Sequence, residues 1–130
     1  MITIRALYAG QSIRFPLNLA GLPVLLGGVY MAIHTKRLFI RTGTPMSPGA
    51  VPRQLHVDGV FRFTRNPMYL GITTGLLGVV ILTGVWLNIA FPLLYALLMN
   101  MFFIPDEEQN LEQEFGQTFL EYRLKTRRWI

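Results

Sequence analysis

The chain contains no cysteine, which excludes disulfide bonds and thiolate-bound metal. Its only histidines are His34 and His56, and with no HExxH spacing no metal site is expected. Acidic residues are few, 7 against 12 Lys and Arg, giving a net charge of +5. Over long stretches charge of either sign is missing. From Asn66 to Pro105 there are 40 residues without one Asp, Glu, Lys or Arg, and from Phe15 to Ile33 another 19. A chain 52% hydrophobic and 15% charged is unusual for a soluble protein of this size. A helix needs about 20 apolar residues to cross roughly 30 Å of hydrocarbon, so the long run fits two spans and the short run one.

The expected fold is therefore an all-α integral membrane protein of about three transmembrane helices. The spans fall near 15–33, 67–84 and 87–104, the last two forming a helical hairpin, and an amphipathic helix over 106–126 follows. One domain accounts for the length. Pro16, Pro23, Gly21, Gly27 and Gly28 lower the helix propensity of the first span, but such residues are commoner in membrane helices than in soluble ones. A cleaved signal peptide fits poorly, because the apolar stretch is long and no small-residue cleavage pattern follows it.

Ten of the 12 Lys and Arg lie between Lys36 and Arg65 or after Glu121. By the positive-inside rule the central loop and the C-terminus face the cytoplasm, as in a bacterial inner-membrane protein. The surplus of positive charge then reads as topology and attraction to anionic membrane lipids, with no call for nucleic acid. His34, Lys36, Arg37 and Arg41 form a basic collar after the first span. The loop from 42 to 66 opens with three prolines and two glycines between Thr42 and Arg53, a restrained turn region. Gln54 to Phe63 is expected to be extended, with a turn at Asp58-Gly59.

The chain is organised around Gly59 to Gly71, G-V-F-R-F-T-R-N-P-M-Y-L-G. Arg62 and Arg65 are the last cations before the long apolar run, and Asn66-Pro67 suits the N-cap and first position of a helix. Backbone N–H groups, the positive end of the helix dipole and guanidinium groups would converge there on one volume suited to an anion. Gly71, Gly75 and Gly78 share a face of that helix, and the expected partner for close approach is the returning span. Trp86 suits an interfacial anchor, and Pro105 is expected to end or kink the third span. Asp106, Glu107 and Glu108 then suit the first turn of a new helix. Its apolar stripe is Leu111, Phe115, Phe119 and Tyr122, interrupted only by Gly116, and Arg123, Lys125, Arg127 and Arg128 close it.

G-T-P-M-S-P-G at Gly43 to Gly49, the Gly59 to Gly71 stretch, and E-E-Q-N-L-E-Q-E-F-G-Q-T-F-L-E-Y-R from Glu107 together resemble the isoprenylcysteine carboxyl methyltransferase family and its bacterial relatives. The resemblance covers Gly43 to Ile130 and implies a membrane methyltransferase using S-adenosylmethionine, enclosed between the loop, the hairpin ends and the C-terminal helix. Carried over by position, cofactor contacts fall on Arg53, Gln54, Leu55 and His56, on Phe61, on Asn66 to Tyr69, and on Glu107. The residue chemistry agrees: Arg65 with the helix start suits a carboxylate, Glu107 suits hydroxyl or amino donors, and Phe61 and Tyr69 suit a sulfonium or adenine. Glu108 is the candidate to orient or deprotonate the acceptor.

This chain departs from the family pattern at two places in that site. Asn66 stands where the family has a histidine, and Phe103 where carboxyl methyltransferases carry an arginine suited to a carboxylate substrate. The expected activity is methyl transfer to a lipophilic or membrane-embedded acceptor. A phospholipid amine is the runner-up acceptor. A membrane reductase of the sterol-reductase kind and a non-catalytic protein binding lipid or a partner remain as alternatives.

Overall fold

A computed structural model describes residues 13–45 and 54–130. The lead-in before Ile13, the part of the Gly43 motif after Pro45, and Arg53 lie outside the described residues. Five α-helices carry the fold, with no β-strand among the described residues: α1 (Gly21–Thr42), α2 (Pro67–Thr83), α3 (Ala90–Leu98), α4 (Ile104–Phe115) and α5 (Gln117–Lys125). Short 3-10 turns at Leu17–Ala20, Gly59–Arg62 and Trp86–Ile89 lead into the next segments. A π-helical turn, Met99–Phe103, joins α3 to α4, so helix is continuous from Trp86 to Phe115.

Two of these runs, Leu17–Thr42 and Trp86–Phe115, are long and apolar enough to cross a membrane, while α2 is a shorter apolar helix. Neither long helix is a soluble core. Only 11% of each apolar window is buried, and Leu26, Phe91, Leu93 and Leu97 are each more than half exposed. So much contiguous exposed apolar surface demands a non-aqueous neighbour.

The first helix runs further than its charge-free stretch. Instead of stopping near Ile33 it continues through His34, Lys36, Arg37 and Arg41, because no breaker occurs before Gly43 and Lys and Arg are good helix formers. At Gly43 the backbone turns left-handed (φ 67°); its N–H donates to Ile40 O and the Thr44 N–H to Phe39 O at 2.8 Å, closing the helix as a Schellman motif. The basic collar is thus the last two turns of α1, not the loop after it.

The glycine face of α2 meets α1, not the returning span. The two helices are antiparallel, with Gly28 against Gly71 and Gly75, and Gly21 against Gly78. A Cβ on Gly71 would lie 2.8 Å from Ala32 N and from Gly28 O. Periodicity identified the face correctly, but α1 has matching glycines at Gly21 and Gly28, whereas the returning span from Ala90 to Phe103 has none. At the far end Asn18 Nδ2 donates to Leu82 O at 3.0 Å, and Ile13 N–H to Gly84 O at 3.2 Å.

Pro105 stands in the first turn of α4, and the π turn before it keeps the helix continuous with the span. The proline lacks the N–H that would bond one turn back, and its ring would crowd that carbonyl. The preceding π turn, wider by one residue, accommodates both defects. Asp106 and Glu107 lie in the first turn of α4, as expected, although α4 continues the preceding helix without a break. The true break comes at Gly116, whose backbone (φ 56°, ψ −125°) only glycine adopts readily. Beyond it α5 folds back and buries Phe119 and Tyr122 against Phe61, with Leu38, Phe39, Leu55, Leu111 and Phe115 packed around them. This small aromatic core lies at the end of the molecule where α1 finishes and α2 starts. The segment from Gln54 is irregular to Asp58; after the turn at Gly59 (φ 63°), Phe61 rides on a 3-10 turn and not on an extended strand.

Candidate functional site

One cavity of about 130 Å³ opens beside that core. Its wall comes from separate pieces of chain: Phe39 at the end of α1, Thr44-Pro45, Gln54 to His56, Phe61, Arg65 to Tyr69, Glu107, Glu108 and Leu111 on α4, and Phe119 and Tyr122 on α5. All nine described residues singled out from the sequence, Gln54, Leu55, His56, Phe61, Arg65, Asn66, Tyr69, Glu107 and Glu108, lie on this wall. They span more than fifty positions of sequence and meet because α4 carries the Trp86–Phe115 helix beyond its charge-free stretch to the start of α2.

The start of α2 is built as its sequence suggests, with one change. Pro67 opens the helix and the Asn66 carbonyl accepts the first intrahelical bond, from Leu70 N–H at 2.9 Å. The Asn66 side chain does not cap the helix. Its Nδ2 donates instead to Arg128 O at 2.9 Å, while its own N–H donates to Thr64 Oγ1 at 3.1 Å. The first-turn amides of Met68 and Tyr69 have no carbonyl one turn back to bond, and both residues face the cavity.

Arg65 and Glu108 form a tight ion pair, Nη1 to Oε1 at 2.7 Å. Arg128 completes a triad: its Nε donates to Glu108 Oε1 at 3.0 Å and its Nη2 to Oε2 at 2.9 Å. Both oxygens of Glu108 are thereby committed. Burial lowers the pKa of the Arg65 guanidinium, and Glu108 beside it acts in the opposite direction. The Nε of Arg65 is buried and has no hydrogen-bond partner among the described residues. Glu107, next in sequence, points differently and accepts a short hydrogen bond from the Tyr69 hydroxyl.

The opposite wall is aromatic. The His56 ring forms a triangular cluster with Phe39 and Phe61, its centroid 5.4 Å and 5.3 Å from theirs, and its Nε2 is 3.2 Å from Thr44 Oγ1 and 3.3 Å from Thr42 Oγ1. Burial lowers its pKa below the ordinary 6.5, favouring the neutral ring. Tyr122 fixes Phe61 by donating its hydroxyl to Phe61 O at 2.6 Å, and burial pushes that phenol up to about 12.

Sequence reasoning missed Arg128, Asn100 and Thr64 as parts of this architecture. Arg128 read as a generic cation at a helix end. Asn100, a single amide in an otherwise apolar run, was the available signal, since such a group is costly in a membrane unless bonded.

An all-helical membrane protein with a cavity of mixed charge and aromatic character at one end of its spans is the class that fold and site define. A profile of phospholipid methyltransferases matches residues 17–118, and the chain belongs to that family. It is accordingly a membrane methyltransferase dependent on S-adenosylmethionine. No curated protein and no solved structure matched the chain.

Proposed function

We propose that the cavity holds S-adenosylmethionine and that the methyl acceptor is a lipid bearing an amine. The observation that carries the cofactor reading is the polarity of one enclosed wall. It has a half-buried guanidinium with an unused donor and a helix start at one place, a carboxylate at another, and an aromatic face between. Arg65 Nε and the Met68 and Tyr69 amides suit the cofactor's carboxylate, Glu107 its hydroxyl or amino groups, and Phe61 with His56 its adenine. Gln54 and Leu55 complete the wall on that side, and Asn66 holds the helix start in place. When bound, the cofactor supplies an electrophilic methyl group to an acceptor nucleophile in line with the breaking C–S bond.

The chain's own work is positioning and exclusion of water, which suffices for such a displacement. Glu108 is better placed to fix Arg65 than to take a proton, because two guanidinium groups already occupy it. Amine acceptors are favoured over carboxylates by two observations. Phe103 stands where the carboxyl methyltransferases that the sequence resembles carry an arginine, and Glu108 occupies Arg65 Nη1 and Arg128 Nε and Nη2, leaving Arg65 Nε for the cofactor. Three spans, with α2 as the shortest, would put the cavity, the end of α1 and the tail on the cytoplasmic side.

Calorimetry on the purified chain in phospholipid nanodiscs tests the cofactor, with S-adenosylhomocysteine as the probe and NADPH as the control. Saturable binding of the first and none of the second is expected. Methyl transfer to phosphatidylethanolamine vesicles, compared with a prenylated cysteine carboxylate, then tests the acceptor. Transfer to the carboxylate alone would overturn the amine assignment and restore the isoprenylcysteine-type substrate.

A further inference from the structure

Asn100 is the single Asn or Gln between Ala90 and Pro105, in a run whose neighbours Met101 and Phe102 are more than half exposed. A lone amide there is costly unless its hydrogen bonds are made. Its Oδ1 accepts two, from Arg128 Nη1 at 3.0 Å and from Trp129 Nε1 at 3.1 Å. It lies within the π turn Met99–Phe103, whose extra residue changes the direction in which following side chains leave the helix.

The tail so held is not a loose end. Arg128 O accepts from Asn66 Nδ2 at 2.9 Å and from Thr64 Oγ1 at 3.2 Å, and Arg127 O accepts from Arg65 N–H at 2.9 Å. The Arg128 guanidinium meanwhile grips both oxygens of Glu108, whose Oε1 also receives Arg65. One residue therefore bonds to the π turn, to α4 and to the start of α2. Arg127 to Trp129 lie beyond the residues that the family profile matches.

We propose that Arg128, seated by Asn100, is a positioning residue for cofactor binding: its guanidinium sets Arg65 at the cavity wall through Glu108, and its carbonyl holds the Asn66 side chain beside it. The proposal rests on the reading that this cavity holds S-adenosylmethionine. Without the Arg128 side chain, Glu108 keeps one cation in place of two and is free to turn with Arg65 away from the cavity, while the Arg127 and Arg128 carbonyls that hold the start of α2 lose the anchor to Asn100 and Glu108 that seats them. The loss falls on binding of the cofactor and not on the displacement itself, because neither Asn100 nor Arg128 lines the cavity.

The test uses the full chain in phospholipid nanodiscs, with Arg128→Gln, Asn100→Leu and Asn100→Asp, and Leu124→Ala on the exposed face of α5 as control. S-adenosylhomocysteine affinity is measured by calorimetry, and KM for S-adenosylmethionine and kcat with phosphatidylethanolamine vesicles. Arg128→Gln and Asn100→Leu are expected to raise Kd and KM on the order of tenfold with kcat within about twofold. Asn100→Asp keeps the acceptor oxygen and should stay within about twofold of wild type on both. Equal losses in Asn100→Asp and Asn100→Leu overturn the proposal. So does a fall in the active fraction with KM unchanged, which is the signature of a merely structural part. Wild-type chain that binds while Arg128→Gln binds equally well sinks this inference alone; wild-type chain that takes no S-adenosylhomocysteine sinks the cofactor reading with it.

Discussion

Glu107 and Glu108 are adjacent in sequence and have opposite fates. Glu108 is saturated by Arg65 and Arg128, whereas Glu107 accepts from the Tyr69 hydroxyl and faces the cavity. Glu107→Gln should therefore weaken S-adenosylhomocysteine binding by about ten- to a hundredfold, the size of a lost charged hydrogen bond, with little change in melting temperature. Calorimetry beside a thermal melt checks this. Glu108→Gln should instead lower the melting temperature, since it leaves two half-buried guanidinium groups facing each other. His56 yields a prediction with a sign. Its folded pKa lies below the ordinary 6.5, so the unfolded chain binds more protons and stability rises with pH through that window. Stability should be full above about pH 6.5 and decline as pH falls toward the folded value, and His56→Gln should flatten that part of a pH series of melts. Sequence motifs located these residues because the chemistry is local to them. They could not show that Glu108 is spoken for, because its second partner lies twenty positions away on a segment with no motif.

At the scale of elements, the decisive contact is the glycine seam between α1 and α2. A Cβ on Gly28 would collide with the Gly75 backbone, and one on Gly71 with Ala32 and Gly28, while Gly27 one position away has open space. Gly28→Ala should cost about 1–3 kcal/mol through forced separation of the helices, and Gly27→Ala should be neutral or slightly stabilising. Gly75→Ala is an internal contrast, since its Cβ would meet only Leu25 Cδ1 at 3.8 Å. Thermal melts of the three variants in one detergent rank them. The seam also shows why the sequence named the face but not the partner. A small-residue stripe states how closely something approaches, and only the matching glycines on α1 say what. Helix boundaries were legible at Pro67, near Pro105 and at the interruption at Gly116, where a backbone signal exists. The end of α1 was misplaced at Ile33, inferred from a change in polarity, when Gly43 carried the backbone signal. Charge does not stop a helix, and a π turn can absorb a proline.

For the molecule as a whole, the arrangement separates two solvents. The exposed apolar sides of α1 and α3 belong in hydrocarbon, while Lys36, Arg37 and Arg41 at the end of α1 and Arg123 and Lys125 on α5 are exposed and cluster toward the cavity end. The helix lengths agree, since about 26 Å for the 17 residues of α2 approaches the roughly 30 Å of a hydrocarbon core. If α2 crosses, Asn88 and Arg14 lie on the face opposite Lys36 and Lys125. The absence of cysteine makes this directly measurable, because any single introduced thiol is the only one present. In sealed inverted membrane vesicles a membrane-impermeant maleimide should label Lys36→Cys and Lys125→Cys at once, and Asn88→Cys only after permeabilisation. Labelling of Asn88→Cys and Lys125→Cys from the same side would mean that the Trp86–Phe115 helix does not cross. A lipid headgroup and a water-soluble cofactor would then have to reach the cavity from one solvent, and the separation of their two routes would be lost.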